Sequence, residues 1–198
     1  PMIDIEELLA CEEATVVDLR TPSEFAIDHL PGALNRPLFS DEERAIVGLL
    51  YKQESPESAF DKGLEFVLGT IRQWGQELGF QALGFTGIDL AQHRDYLAKW
   101  LEAGYHGEME WMASHGQKRT HPDALVPGTC TVITARMDYL PEGKDPEAVL
   151  ASSEKAYISR YALGRDYHKL IRGRLAKLAK RIAAQLGGGQ SRAFVDSA

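Results

Sequence analysis

The stretch VVDLRTPSEFAIDHLPGALNRPLF, Val16–Phe39, decides the fold class. Its β-rich opening, within Ala14–Leu19, predicts a short strand that leaves Asp18 near its C-terminal edge. Ser23–Phe25 predicts a brief helix with Ser23 as its cap, because a serine oxygen there can accept an orphan backbone N–H. His29-Leu30-Pro31-Gly32 reads as a turn, with His29 a turn residue, and Ala33-Leu34 as a second strand. Strand, helix and strand in close succession argue for an α/β architecture.

Working outward, the same alternation continues. Ile3–Leu9 reads as a helix capped by Asp4, and Asp41–Tyr51 and Ser58–Phe66 are helical in pattern. Val67, Ile71, Trp74 and Leu78 fall at helical spacing, with Gly79 as the stop. Gln81–Thr86 predicts a strand, Leu90–Ala103 a helix with Leu97, Trp100 and Leu101 inward, and Tyr105–His115 another helix. After the Pro127-Gly128 turn, Thr129–Met137 predicts a strand with Val132, Ile133 and Cys130 buried. Leu140–Ser153 reads as a loop, and Asp166–Leu186 as the longest helix. Its apolar stripe is Leu170, Ile171, Leu175, Leu178, Ile182 and Leu186. Gly187-Gly188-Gly189 ends it, and Ala193–Val195 reads as a strand. Trp74, Trp100 and Trp111 occupy apolar helical positions and are expected in the core.

With 198 residues, 44% hydrophobic and 26% charged, the composition is that of a globular protein of one large or two small domains. No apolar run reaches membrane-spanning length and no leader pattern opens the chain, so a cytoplasmic setting without membrane contact is expected. Pro1 in place of methionine suggests a start that is not the native one. Two cysteines, Cys11 and Cys130, are too few for a disulfide framework or a thiolate metal site. The net charge of −7 is uneven: residues 1–67 hold fifteen acids against five Lys/Arg, and residues 68–198 seventeen Lys/Arg against fourteen acids. Such asymmetry suggests segments with different partners.

The pattern Asp18-Leu19-Arg20, Glu24-Phe25 and His29-Leu30-Pro31-Gly32-Ala33 resembles a rhodanese-type domain. Its continuation, PLFSDEERAIVGLLYKQESPESAFDKGLEFV, is similar to the N-terminal domain of tRNA 2-selenouridine synthase, which exchanges sulfur for selenium on a wobble uridine. That chemistry implies a cysteine in a Cys-x-x-Gly-x-Arg-Ser loop, where backbone N–H groups and a cation favour the thiolate. No such loop occurs, and neither does a phosphate-binding Gly-x-x-x-x-Gly-Lys-Ser/Thr. Residues 1–67 are therefore expected to form a partial rhodanese-like segment without its nucleophile, with Asp18 and Arg20 joined at a strand end.

From residue 69 a different family is matched. IRQWGQELGFQALGFT, YLAKWLEAGYHGEMEWMASHGQKRTHPDALVPGT, SRYALGRDYHKLIRGRL and FVDSA together resemble epoxyqueuosine reductase. That family is a cobalamin-dependent iron–sulfur enzyme that removes the epoxide oxygen in queuosine synthesis on tRNA. The resemblance implies cobalamin as cofactor, tRNA as partner and Asp196, in Phe-Val-Asp-Ser-Ala, as proton donor beside the corrin. It also implies corrin-side positions for Arg119, Ser159, Tyr167 and His168, the last as a hydrogen-bonding residue rather than a cobalt ligand. Without the resemblance Asp196 reads as a strand-end or capping residue. The helix after Gly164 displays Lys169, Arg172, Arg174, Lys177, Lys180 and Arg181 with no acid beyond Asp166. That face could meet tRNA phosphates or simply be solvated.

The family continues beyond this motif into two cysteine clusters for iron–sulfur centres, for which this sequence has no residues. Residues 68–198 are therefore expected to be an incomplete α/β cobalamin-binding reductase domain. Activity would need a separate electron-delivering protein. The joint expectation is tRNA wobble modification by a rhodanese-like segment fused to the front of a reductase. The alternatives are a non-catalytic tRNA-binding fragment and a selenouridine-synthase-like transferase.

Overall fold

The computed structural model describes residues 15–114, 116–139 and 143–195. The expected helix at Ile3–Leu9, Cys11 and the acid Asp196 lie outside the described residues. The remainder is mixed helix and strand, in two compact units. One comprises the described residues up to Leu78 together with those from Gly143 onward, and the other runs from Gly79 to Tyr139.

In the first unit, β1 (Val17–Asp18) and β2 (Leu34–Asn35) pair in parallel, with Val17 opposite Leu34 and Asp18 opposite Asn35. The helix between them, α1 (Pro22–Ile27), supplies the crossover that parallel pairing needs. Thr21, not Ser23, is its cap: Thr21 accepts from the Glu24 N–H while the Glu24 carboxylate accepts from the Thr21 N–H. Ser23 instead donates its hydroxyl to Asp41 at 2.7 Å, tying α1 to the start of α2 (Asp41–Gln53). A second capping box, Ser40 with Glu43, begins α2.

The segments expected at Ser58–Phe66 and Val67–Leu78 form one helix, α3 (Pro56–Glu77), capped by Ser55 and running through residues 67 and 68 without a break. At 22 residues it is longer than the helix expected to be the longest. It ends at Leu78, where Gly79 takes the left-handed φ of 83° that only glycine adopts without cost. Ala59, Ile71 and Trp74 are the buried side of α3, and Gly63 lies there too, under the Phe39 ring.

Beyond residue 143, the expected loop contains α7 (Pro146–Leu150), begun by the Asp145 side chain on the Glu147 N–H and by Pro146 at its first position. A 3₁₀ turn, Arg160–Ala162, leads to α8 (Tyr167–Gln185). Leu178 is its most buried residue, at 2% exposure, while Leu170 and Leu186 of the expected stripe are about half exposed. Arg181 of α8 bonds Glu77 of α3 at 2.5 Å and lies 4.5 Å above the Trp74 ring. Gln185 donates to the Pro37 carbonyl, which docks the end of α8 on the segment after β2. Ala193–Val195 is not a strand, although Val195 is buried.

In the second unit, β3 (Ala82–Thr86) and β4 (Val132–Arg136) are antiparallel, Ala82 facing Arg136 and Thr86 facing Val132. Gly84 is required by close approach, since a side chain there would meet Thr134 Oγ1 at 2.7 Å. Phe80, 2% exposed, and Leu83 form the core beneath this ribbon. Between the strands lies α4 (Ala91–Glu102), with Leu97, Trp100 and Leu101 half-buried as expected. Tyr105–His115 does not form one helix. Gly104 and Gly107 take positive φ, turns occupy Ala103–Glu108, and only α5 (Trp111–Ser114) is helical. A 3₁₀ turn, Gly116–Arg119, and α6 (Pro122–Leu125) complete the connection. Trp111 is exposed rather than in the core, and Cys130 precedes β4 and is exposed rather than buried.

Candidate functional site

Four of the five residues singled out in the sequence are described. Ser159, Tyr167 and His168 belong to the first unit and Arg119 to the second, while Asp196 lies outside the described residues.

In the first unit the site is built where the chain enters α8. Ser159 stands at the start of the 3₁₀ turn in extended backbone, its side chain making no cap bond. Tyr161, in that turn, sets its ring edge-on to Tyr167, centroids 6.0 Å apart at 88°. Tyr167 stacks in turn on the imidazole of His168 at 4.1 Å. Asp166 fixes this shelf as the cap of α8, accepting the His168 N–H at 3.0 Å and facing its Nδ1 at 3.2 Å. With a carboxylate opposite it, Nδ1 is the ring nitrogen that holds the proton. Desolvation pushes the Asp166 carboxyl up, but the backbone N–H and ring of His168 outweigh it and hold it below its ordinary value. The result is a partly exposed aromatic shelf, Tyr161–Tyr167–His168, with Tyr167 half-buried and His168 held by Asp166.

A cleft of about 360 Å³ opens on either side of Ser159 in sequence, walled by Lys144, Lys155, Tyr157, Ile158, Arg160 and Leu163 among others. A second cleft of about 290 Å³ is mostly apolar, between Leu38, Phe39, Ile71, Trp74 and Ile182. Neither Tyr167 nor His168 lines either one.

Arg119, in the second unit, is held by its own neighbourhood. Its Nε donates to the Met112 carbonyl and its Nη2 to the Trp111 carbonyl, both at 3.0 Å. These are carbonyls of α5, and that of Trp111 also accepts from the Ser114 hydroxyl at 2.9 Å. The guanidinium also lies 5.3 Å from the exposed Trp111 ring. Beside it Thr120 is buried, with its Oγ1 3.1 Å from His121 Nδ1.

At the chain's opening, Arg20 grips Asp18 through Nε and Nη2 at 2.7 to 3.1 Å and also donates to the Asp28 carbonyl. The Arg20 side chain, then its backbone N–H, hold the Asp18 carboxyl below its ordinary value. His29 lies just before the turn, which Ala33 N–H closes on the Leu30 carbonyl, with its Nδ1 on the Phe25 carbonyl and its ring stacked on Phe25. Among the described residues, no three His, Cys, Asp or Glu side chains gather as a metal-ligand set, and no helix is long and apolar enough to cross a membrane.

Two partners escaped the sequence reading. Tyr161 was signalled only by its place in Ser-Arg-Tyr beside Ser159, and Trp111 by its eight-residue distance from Arg119, which a helix-only reading of Tyr105–His115 hides.

Comparison with known proteins bears on these same residues. Residues 119–197 match the family described as epoxyqueuosine reductase QueG, DUF1730. An epoxyqueuosine reductase of Pseudomonas aeruginosa is 60% identical over 129 residues, which is 65% of this chain and 36% of that one. Those of Aliivibrio fischeri and Escherichia coli K12 are 56% and 51% identical over 128 residues, 65% of this chain and 34% of each. A solved N-terminal domain of a Clostridium difficile 630 protein described as ATP/GTP binding is 32% identical over 39% of this chain and 60% of its own, with a TM-score of 0.35 that carries no argument. Over its C-terminal part this chain is thus similar to epoxyqueuosine reductases, and it spans about a third of the length of the curated relatives it matches.

Proposed function

We propose that residues 68–198 are the cofactor-side front of an enzyme of the epoxyqueuosine reductase type, acting in the cytoplasm on the wobble nucleotide of tRNA. The observation that supports this reading most is the match over residues 119–197, which includes Arg119, Ser159, Tyr167, His168 and Asp196. The reaction removes an epoxide oxygen as water, so two electrons and two protons must be delivered to the substrate.

Cobalamin fits the residues present. A broad, flat ring fringed with amides suits a partly exposed aromatic shelf with a hydroxyl nearby, as Tyr161, Tyr167, His168 and Ser159 provide. When bound, it supplies the electron-rich centre that opens the epoxide. Tyr167, stacked on His168 and edge-on to Tyr161, would hold the shelf against the ring, and Ser159 would offer a hydrogen bond to it. His168 keeps Nδ1 on Asp166, which sets the shelf rather than ligating cobalt. Arg119 presents a fixed positive charge, because α5 holds its guanidinium by two carbonyls. Asp196 would give one proton, at its carboxyl, to the departing oxygen, and solvent would give the second. The electrons come from an iron–sulfur donor, separate from or joined to this chain.

For residues 1–67 the proposal is a rhodanese-like remnant fused to that front. The parallel β1–α1–β2 unit with Asp18 gripped by Arg20 supports it. Sulfur or selenium transfer is set aside, since exposed Cys130 is followed by Thr131-Val132 rather than a Gly-x-Arg-Ser loop.

Titration of the chain with hydroxocobalamin, followed by corrin absorbance, tests the cofactor role. Saturable binding is expected, weakened roughly tenfold, about 1.4 kcal/mol, by Tyr167→Ala. No absorbance change at high micromolar cofactor, or equal affinity in the variant, would overturn it.

A further inference from the structure

The side of α8 turned away from the core is a row of cations without an acid. Leu178 marks the buried side of the helix, and Lys169, Arg172, Lys177 and Lys180 are all exposed. Lys169 and Lys180 are eleven residues apart, about three turns, so they share one bearing along roughly 16 Å of helix. Arg172 and Lys177 flank that line within a turn. From Tyr167 to Val195 the sequence has no Asp or Glu.

The other two basic residues of the helix are engaged elsewhere. Arg181 is bonded to Glu77 and stacked on Trp74, and Arg174 is half-buried with contacts of its own. Lys169 has Asp166 at 4.0 Å, a contact at 89% side-chain exposure that solvent largely screens. Among the described residues Arg172, Lys177 and Lys180 form no ion pair. Four like charges on one short face repel one another, and natural surfaces usually intersperse acids to relieve this. Here none is interspersed.

We infer that this row binds the phosphate backbone of RNA, through the face of α8 on which Lys169 and Lys180 lie in line and Arg172 and Lys177 flank them. The inference rests on the tRNA-modification reading and names the surface that would hold the substrate outside the reaction centre. The spaces between the cations are filled by Gly173 and Ala176, both exposed, so a polymer backbone can approach closely. The same small residues speak against a lipid surface, which an interfacial helix grips by large apolar side chains beside its cations.

The test is binding of a fluorescent, unmodified RNA hairpin the size of an anticodon arm to the full chain, at several salt concentrations between about 50 and 200 mM. Four phosphate contacts predict a slope of log affinity against log salt of about −3 for unpaired and nearly −4 for paired RNA. K169Q/R172Q/K177Q/K180Q is expected to abolish most of that slope and to raise Kd at least tenfold at low salt. K180Q alone should lower the slope by about 0.7 to 0.9. R36Q/K52Q/R94Q/K99Q removes as many exposed charges elsewhere and should leave the slope nearly intact. Equal loss in the two quadruple variants, absence of hairpin binding by the native chain, or preference for phosphatidylserine vesicles over RNA each overturns the inference. The corrin titration is independent: an intact salt slope without corrin binding sinks the reductase reading alone, and the reverse sinks only this surface.

Discussion

Two glycines of α3 should respond to alanine in opposite ways, and the difference measures whether the segment after β2 rests on that helix. Gly69 is exposed, and a methyl group there meets nothing within 4 Å. Replacing it by alanine removes the conformational freedom that glycine must lose, a gain of about 1 kcal/mol. Gly63 is buried, and its methyl would stand 3.0 Å from Phe39 Cζ and 3.6 Å from Cε1. Phe39 is held edge-on by Phe66 at 6.5 Å, so yielding means breaking that contact or turning into the apolar cleft it lines. Overpacking of this kind costs about 1–3 kcal/mol, which leaves Gly63→Ala between neutral and roughly 2 kcal/mol less stable. Urea unfolding followed by circular dichroism at 222 nm (the helical band) reads both. With a slope of about 1–3 kcal/mol per molar, the midpoint for Gly69→Ala should rise by roughly 0.3–1 M and that for Gly63→Ala should not rise. Equal rises in the two variants would refute the packing of Phe39 on α3, and with it the joining of the β1–β2 segment to the helical part of its unit.

Two further outcomes concern a surface ion pair and a core ring. The lowered carboxyl of Asp18 contributes stability that is present above its ordinary value of 3.8 and lost as pH falls through its lower folded value. Asp18→Asn should therefore unfold more readily than the native chain near neutrality, with the gap closing as pH falls below about 4; a gap independent of pH counts against the Arg20 pairing. Phe80→Ala should destabilise the unit beginning at Gly79 by about 3–5 kcal/mol, read as lost hydrogen-exchange protection in β3 and β4, and unchanged protection there would remove Phe80 from the core.

Periodicity and turn chemistry made much of this fold legible. Ile71, Trp74 and Leu178 are inward at the spacing that predicted it, Gly79 stops α3, and Asp18 meets Arg20 at a strand end. Local signals that were weighed less than periodicity explain several differences. Thr-Pro-Ser-Glu carries a capping box at Thr21, and Asp-Pro-Glu at Asp145 starts a helix inside an expected loop. Gly104 and Gly107 interrupt a helix that the apolar pattern favoured. Tertiary choices were not legible at all. Cys130 and Trp111 have core-type side chains, yet both are exposed, because what decides burial is a neighbour that no local pattern names. The site divides in the same way: Tyr167 and His168 sit beside Asp166 in sequence and were found together, whereas Arg119 depends on carbonyls seven and eight residues back, across a turn.

The unbroken run of α3 bears on how residues 1–67 and residues 68–198 are joined. They meet at residues 67 and 68, mid-rod in a helix of 22 residues, roughly 33 Å long. A splice inside a rod fixes both the rise and the rotation between its upstream and downstream halves, so inserting even one residue would swing everything upstream by about 100° around the axis. Pro37, whose carbonyl accepts from Gln185, would then be carried away from the end of α8 while Trp74 still faced Arg181. The residues on either side of position 67 thus share a single helical phase, and reading frame alone does not supply it.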